Sequence, residues 1–380
     1  MNANHGGVFA TSVRSDALLD EAHRAAADFV GADDPECCYF GANMTTLTFA
    51  LSRALSKTWN PGDEIIVSRL DHDANFTPWV MAARDAGVTV KYLEIHPDPN
   101  RPASFYSDGP SQLDCTFRLD DFREKLSPRT KLVAVGCASN AVGTVNGLSN
   151  IISGAHAVGA KVFCDAVHYA PHRRIDVKLL QCDFLVCSAY KFFGPHVGMM
   201  WGRREILESL PAYKVRPAPN DLPGKWMTGT QNHEGIAGTL AAIDYLADLG
   251  RTVTGDNSLD RRTALDRAFD AIYYHEQRLA ARFQAGVDPL PQFKSYGITR
   301  IEQFGERVPT LFIRHRTLSS IEVARRLAEA GIFAWHGNFY ALPLTETLGV
   351  EPAGLVRIGM LHYNTLEEVD YLLDVVRTIE

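Results

Sequence analysis

Two short apolar stretches constrain this chain more than anything else in it. Lys161-Val162-Phe163-Cys164-Asp165 runs into Ala166-Val167-His168, and Asp183-Phe184-Leu185-Val186-Cys187-Ser188 runs into Ala189-Tyr190-Lys191. Runs of this length and composition read as strands buried on both faces, as in a parallel sheet. The carboxyl ends of such strands form the rim at which open α/β sheets hold ligands. The first run brings an acid to that rim, and the second brings Ser-x-x-Lys.

The surrounding pattern agrees. From about residue 15 to 240, helix and strand signals alternate: helices at 15–30 (Ser15 as N-cap), 45–57, 78–86 (Thr77 as N-cap, Pro78 first) and 149–158; strands at 64–68, 89–94, 131–136 and 198–201. Alternation of this kind predicts a mostly parallel sheet covered by helices on both faces. After about residue 240 come a long amphipathic helix at 260–284, strands at 308–313 and 355–360 with a helix at 321–330 between them, and a terminal helix opened by the capping box Thr365-Leu366-Glu367-Glu368. The expectation is an α/β domain over residues 12–240, a smaller α+β domain over 241–380, and a linking arm at 1–11. Residues 97–114 and 213–231, rich in Pro, Gly and small polar residues, read as a surface excursion and a connector.

Composition excludes several classes. The net charge of −7, with both signs interspersed, offers no stripe for nucleic acid and no polybasic membrane patch. No apolar run approaches the roughly 20 residues of a membrane span. The first residues lack the charged-then-apolar order of a signal peptide. Seven cysteines, odd in number and in no zinc spacing, read as reduced structural thiols, and none follows Cys187. A cytoplasmic protein is expected. His168 and His172 are four apart like a metal pair, but Pro171 between them argues against the helix such a pair needs, so no metal is expected.

An acid and a lysine at one sheet rim are what pyridoxal phosphate requires. The lysine forms a Schiff base with it, and the acid keeps its pyridine nitrogen protonated. Around that pair the chain resembles the class V aminotransferase family of fold-type I pyridoxal-phosphate enzymes, and most closely its cysteine desulfurase-like branch, from about residue 5 to the C-terminus. Ser188-Ala189-Tyr190-Lys191-Phe192-Phe193-Gly194-Pro195 resembles the family's Ser-Gly-His-Lys-x-x-Gly-Pro. The resemblance implies that Lys191 holds the cofactor and acts as general acid/base, that Ser188 is a phosphate ligand, and that Tyr190 stands in for the histidine. Cys164-Asp165-Ala166-Val167-His168 resembles Val-Asp-Gly-Ala-Gln: Asp165 would pair with the pyridine nitrogen, and His168 would lie near the phenolic oxygen. In Asp71-His72-Asp73-Ala74-Asn75, His72 would stack on the pyridine ring and relay protons. The turn Phe40-Gly41-Ala42-Asn43-Met44 would lead into the phosphate-facing helix. Asn140, in Ser139-Asn140-x-x-Gly143-Thr144, would bond the phenolic oxygen. Thr230, in Gly229-Thr230-Gln231-Asn232, would reach the phosphate of a partner subunit, which implies a homodimer. Arg357, in Val356-Arg357-Ile358, would clamp the substrate carboxylate.

Two departures qualify the resemblance. Desulfurases carry a catalytic cysteine on a loop before the last strand, and Tyr340 stands at that place here. The family's Gly-rich N-terminal segment also has no counterpart, so the sequence is expected to be truncated or to build that wall differently. The expected function is a pyridoxal-phosphate enzyme acting on a small amino acid, with desulfurase-like or β-lyase chemistry on a cysteine-like substrate. The alternatives are amino-group transfer and a non-catalytic binding protein on the same fold. Tyr340 would then be a lid or a hydrogen-bond donor to substrate.

Overall fold

A computed structural model describes residues 4–96 and 114–380. The excursion expected at 97–114 therefore falls, except for Asp114, outside the described residues. Eleven strands form two sheets among them: β1 (Cys38–Gly41), β2 (Glu64–Ser68), β3 (Thr89–Leu93), β4 (Thr130–Gly136), β5 (Lys161–Asp165), β6 (Phe184–Ser188), β7 (Gly198–Gly202), β8 (Phe293–Tyr296), β9 (Thr310–His315), β10 (Trp335–Gly337) and β11 (Leu355–Gly359). The large sheet has the order β1-β7-β6-β5-β4-β2-β3. Its five strands from β6 to β3 are mutually parallel, and β7 is antiparallel to both its neighbours. The small sheet, β10-β11-β9-β8, is antiparallel throughout. This is the mostly parallel, helix-covered sheet with a smaller α+β unit that the alternation and the resemblance led one to expect.

The runs of the opening argument are buried along their whole length apart from Lys161 at the first residue of β5, because helices cover both faces. One face packs on helices Ala10–Val30, Ser149–Ala157 and His233–Thr254, the other on helices Met44–Ser56 and Thr77–Ala86. Residues 240 and 241, the expected domain boundary, lie inside helix His233–Thr254, whose Ile236, Ala242, Ile243, Leu246 and Ala247 belong to the large core. Helix Arg261–Val287 joins both cores: Ala264, Leu265, Phe269 and Ile272 pack on the large one, and Leu279, Ala280, Phe283 and Val287 on the small one. A third cluster, including Leu70, Val142, Phe312, Ala341 and Leu355, fills the seam between the sheets.

Some local expectations shift. Ser15 is not an N-cap: the first helix begins at Ala10, and Ser15 Oγ donates back to Thr11 O inside it. Thr77 is the first residue of its helix rather than the cap, because a short 3₁₀ turn at Asp73–Asn75 precedes it and its hydroxyl donates to the Asp73 carboxylate. The strand expected at 308–313 runs two residues later, since Val308 N–H is spent on Gly143 O. Strands β1 and β10 and helix Leu119–Lys125 carry too few periodic residues to be read in advance. The terminal capping box forms, with Thr365 and Glu368 each bonding the other's backbone N–H.

Candidate active site

Parallel strands that end together leave a rim, and the small sheet closes over it. Between them lies a cavity of about 610 Å³ lined by Asp165, Lys191, His72, His168 and Asn140 from the large sheet's rim and by Trp335, Phe339, Tyr340 and Arg357 from the small-sheet side. Met44, Thr45, Asp71 and Tyr190 also lie on the wall.

Asp165 ends β5. It is 7% exposed, and its Oδ1 accepts from Val167 N–H at 2.8 Å. Burial pushes its carboxyl up to about 6, against that hydrogen bond and the Lys191 charge. Lys191 sits in the turn after β6. Burial and the Arg357 charge hold its amine below the ordinary lysine range, and Asp165 acts against them. Lys191 Nζ lies 5.4 Å from the centre of the Tyr190 ring, which itself stacks on His196 at 5.1 Å. Burial, then Lys191 and Arg357, lower His72 to about 4, so its imidazole is neutral near pH 7. Its Nδ1 accepts from Ala74 N–H, and its ring lies 5.5 Å from the Tyr340 ring with an 18° interplanar angle. His168 is hydrogen-bonded through Nε2 to Thr310 Oγ1 at 2.9 Å, and burial first of all pushes it well below the usual histidine range. His172 is not turned to a shared metal position: its Nδ1 donates to the buried Glu276 carboxylate at 3.0 Å.

Arg357 projects from β11 with its guanidinium 4.3 Å from the centre of the Phe339 ring, and Nη1 donates to Asn140 O at 2.9 Å. Among the described residues no carboxylate pairs with it. Burial alone lowers it to about 10. A half-buried guanidinium without a counter-ion is a site for an anion. Asn140 reaches the cavity, but its amide N–H₂ donates to Phe339 O at 2.9 Å, and its buried Oδ1 has no partner.

The remaining expected residues lie behind this cavity. Ser188 is fully buried, and its Oγ accepts from Met44 N–H at 3.0 Å. Asn43 closes a capping box with Thr46 at the start of the same helix. That helix end is pressed against β7: a Cβ on Gly198 would lie 2.4 Å from Asn43 C. Gly41 and Ala42 line a separate hollow of about 460 Å³ together with the exposed Thr230. Thr230 does not line the cavity that holds Lys191.

Asp71, at the head of the motif at 71–75, carries no role that its sequence context assigns. It is buried and accepts from Gly136 N–H at 2.8 Å and Asn75 Nδ2 at 2.9 Å; Asn75 in turn accepts from Trp79 Nε1. A Cβ on Gly136 would come 2.7 Å from Asp71 Oδ1. Burial and then Asp165 raise Asp71 to about 8. Its position at the motif's head, just past the end of β2, was the available signal. Thr310, Trp335 and Phe339 gave none, because strand register and contacts across the seam of the two sheets bring them to Arg357 and His168.

The donor set suits pyridoxal phosphate. A lysine and a carboxylate share one wall, a helix N-terminus opens on it at Met44 and Thr45, and a buried amide oxygen lacks a partner. The comparisons with known proteins agree. The model of class V aminotransferases matches residues 1–372. An aminotransferase-like protein of Gibberella zeae is 32% identical over 98% of this chain and 85% of its own length, and a cysteine desulfurase of Dickeya dadantii is 29% identical over 98% and 83%. Among solved structures, the apo cysteine desulfurase of Thermococcus onnurineus has a TM-score of 0.82 at 25% identity, covering 98% of this chain and 86% of that one. A cysteine desulfurase of Escherichia coli has 0.79 at 26%, covering 99% and 87%. With the family's model matching nearly the whole sequence and solved folds superposing across it, this chain belongs to the class V aminotransferase family of fold-type I pyridoxal-phosphate enzymes.

Proposed function

We propose that the protein removes the α-proton of a cysteine-like amino acid and expels its β-substituent, a desulfurase-like lyase that forms no persulfide on itself. The observation that carries this reading is one cavity holding a lysine lowered by burial and by the Arg357 charge, a buried carboxylate and a half-buried guanidinium with no carboxylate partner among the described residues, with no thiol on its wall. Bound pyridoxal phosphate supplies an electron sink for the carbanion at the substrate's α-carbon. Lys191 would hold it covalently, Asp165 would face its ring nitrogen, and the helix end at Met44 would face its phosphate, with Ser188 bracing that helix end. His72 and His168, both neutral near pH 7, would flank it, and Tyr190 would line its edge.

The chain's own groups then divide the work. Arg357 takes the substrate carboxylate as a bidentate pair and fixes which face of the α-carbon meets Lys191. The Lys191 amine, with its affinity for protons lowered by burial and the Arg357 charge, accepts the α-proton at Nζ. A persulfide would need a mobile thiolate on the substrate side. All seven cysteines are buried and none lines the cavity. Burial raises Cys37 and Cys115 to about 12 and pushes Cys187 up as well.

Amino-group transfer is the second reading, since the family carries it. Supplying cysteine, identifying products, and mapping alkylated persulfides by mass spectrometry decide between the readings. Free sulfide with pyruvate supports elimination, alanine with a stoichiometric protein persulfide supports a true desulfurase, and a keto acid retaining the sulfur supports transfer.

We further infer a homodimer, in which Thr230 serves the neighbouring subunit's phosphate. Its exposure and its distance from the chain's own cavity support this. A monomer by light scattering that still binds the cofactor tightly would refute it. A cytoplasmic location is supported by seven free thiols. No helix among the described residues is long and apolar enough to cross a membrane.

A further inference from the structure

The small-sheet wall of the cavity carries three large aromatic rings. Arg357 is paired across the small sheet with Trp335 on one side and Phe312 on the other. Directly paired residues share a sheet face, with Cβ atoms about 4.5–5.5 Å apart. Trp335 therefore stands beside the guanidinium, Phe339 lies against it, and Tyr340 follows in the chain. All three rings line the cavity. Trp335 is 71% exposed and Tyr340 72%. Apolar surface of this size gathered at a cavity mouth marks a place where something apolar binds.

The segment that bears these rings is tied down. Asp73 N–H donates to Tyr340 O at 2.6 Å, Asn140 Nδ2 donates to Phe339 O, and Tyr340 N–H donates to Asn338 Oδ1 at 3.1 Å. Phe339 and Tyr340 have φ of 56° and 59°, a conformation bulky residues hold only where their surroundings dictate it. A segment fixed in this way suits a binding wall better than a swinging carrier.

We propose that Trp335, Phe339 and Tyr340 form the substrate's side-chain subsite, and that it takes an aromatic group carried on the sulfur of a cysteine-type amino acid. This rests on the elimination reading above, with Arg357 as carboxylate anchor. A carboxylate on Arg357 places the substrate's side chain along the three rings. The thiol of cysteine would leave them bare, whereas an S-aryl group stacks on them. An arenethiolate also leaves more readily than sulfide because its conjugate thiol is more acidic. The reaction balances without an oxidant or reductant. Lys191 takes the α-proton, the Cβ–S bond breaks with its electron pair going to sulfur, and the thiolate is protonated. One water is then consumed in releasing pyruvate and ammonium.

The test compares S-phenyl-L-cysteine with S-methyl-L-cysteine on the holoenzyme, reading thiol release and tryptophan fluorescence. The phenyl compound is expected to have kcat/KM about tenfold or more above the methyl compound, the size of one or two aromatic contacts. Trp335→Ala should lower the ratio severalfold, leaving the part that comes from the better arenethiolate leaving group and the two remaining rings, while Trp335→Phe, which keeps a ring, should retain most of it. The phenyl compound should quench fluorescence in wild type and not in Trp335→Phe. Equal kcat/KM for the two compounds, or quenching that persists in Trp335→Phe, overturns the subsite. Thiol release from neither compound, with the Trp335-dependent quench intact, refutes the elimination reading and supports the subsite.

Discussion

The two sides of the cavity are built by opposite means. The large-sheet side is the rim of buried parallel strands, where each functional group directly ends or follows a continuous apolar run: Asp165 after β5, Lys191 after β6. Its geometry comes from the strands and its electrostatics from burial. The small-sheet side comes from a short, largely exposed strand, an antiparallel register and a segment of left-handed residues. The first side is fitted to hold a cofactor common to a family. The second, where we propose that the substrate's side chain lies, is where this chain departs from the desulfurase pattern, with Tyr340 where a thiol would be. Chemistry resides on the side the fold cannot easily vary, and specificity on the side it can.

That contrast can be broken by experiment, and the largest effect belongs to the rim. Lys191→Ala should abolish the visible absorbance of the lysine-bound cofactor and the borohydride-fixed cofactor on its peptide, and lower turnover by about 10²–10⁴-fold or more. A variant that keeps both signals would remove the lysine from the centre of the site.

Next comes the anchor on the opposite side. Arg357→Lys exchanges a bidentate fork for a point charge and should cost about 2–5 kcal/mol in substrate binding, read as a rise in KM. The lysine-bound absorbance should stay as in wild type. Loss of that absorbance would show that the two sides are not separable.

The third prediction concerns charge on the rim. Asp165 has a folded value of about 6 against 3.8 for an ordinary aspartate. The folded apoprotein therefore holds this proton more tightly than the unfolded chain. The contribution to stability is full below about pH 4 and is lost as pH rises through about 6, at about 1.4 kcal/mol per unit. The wild-type minus Asp165→Asn difference in unfolding free energy, measured without cofactor, should fall by roughly 2–3 kcal/mol between pH 4 and pH 7. A flat difference would place Asp165 in water. Cofactor binding should reduce the fall, since a protonated ring nitrogen would pair with the carboxylate.

The smallest effects test local reading. Thr365→Ala removes a formed capping box and should cost about 0.5–2 kcal/mol of stability. Ser15→Ala removes a hydroxyl that bonds back to Thr11 O within a helix and caps no helix end, and should cost less than Thr365→Ala. Equal losses in chemical denaturation would mean that Ser15 does cap a helix end.

The same contrast explains what could be read in advance. Lys191, Asp165 and His72 were legible because each sits just past a short run whose burial is written in its own composition, and because neighbouring parallel strands end together. Arg357 was legible from the pattern of its strand. Asp71 was visible but unassigned, since its value comes from the hydrogen-bond chain Trp79–Asn75–Asp71–Gly136, which joins the end of β4 to the loop after β2 and a helix. For Asn140 the sequence pointed to the right cavity but could not show that its N–H₂ is spent on Phe339 O.

By itself, then, the sequence determined the layered α/β frame, the rim on which the acid and the lysine stand, and the absence of any thiol beyond Cys187, because strand and helix periodicity and residue identity are local properties. Only the tertiary structure decided that Trp335 stands beside Arg357, that Thr310 holds His168, and that the Phe339–Tyr340 segment is pinned in a left-handed conformation. These depend on register between strands and on contacts across the seam of two sheets, where residues far apart in the chain become neighbours through packing that no single segment encodes.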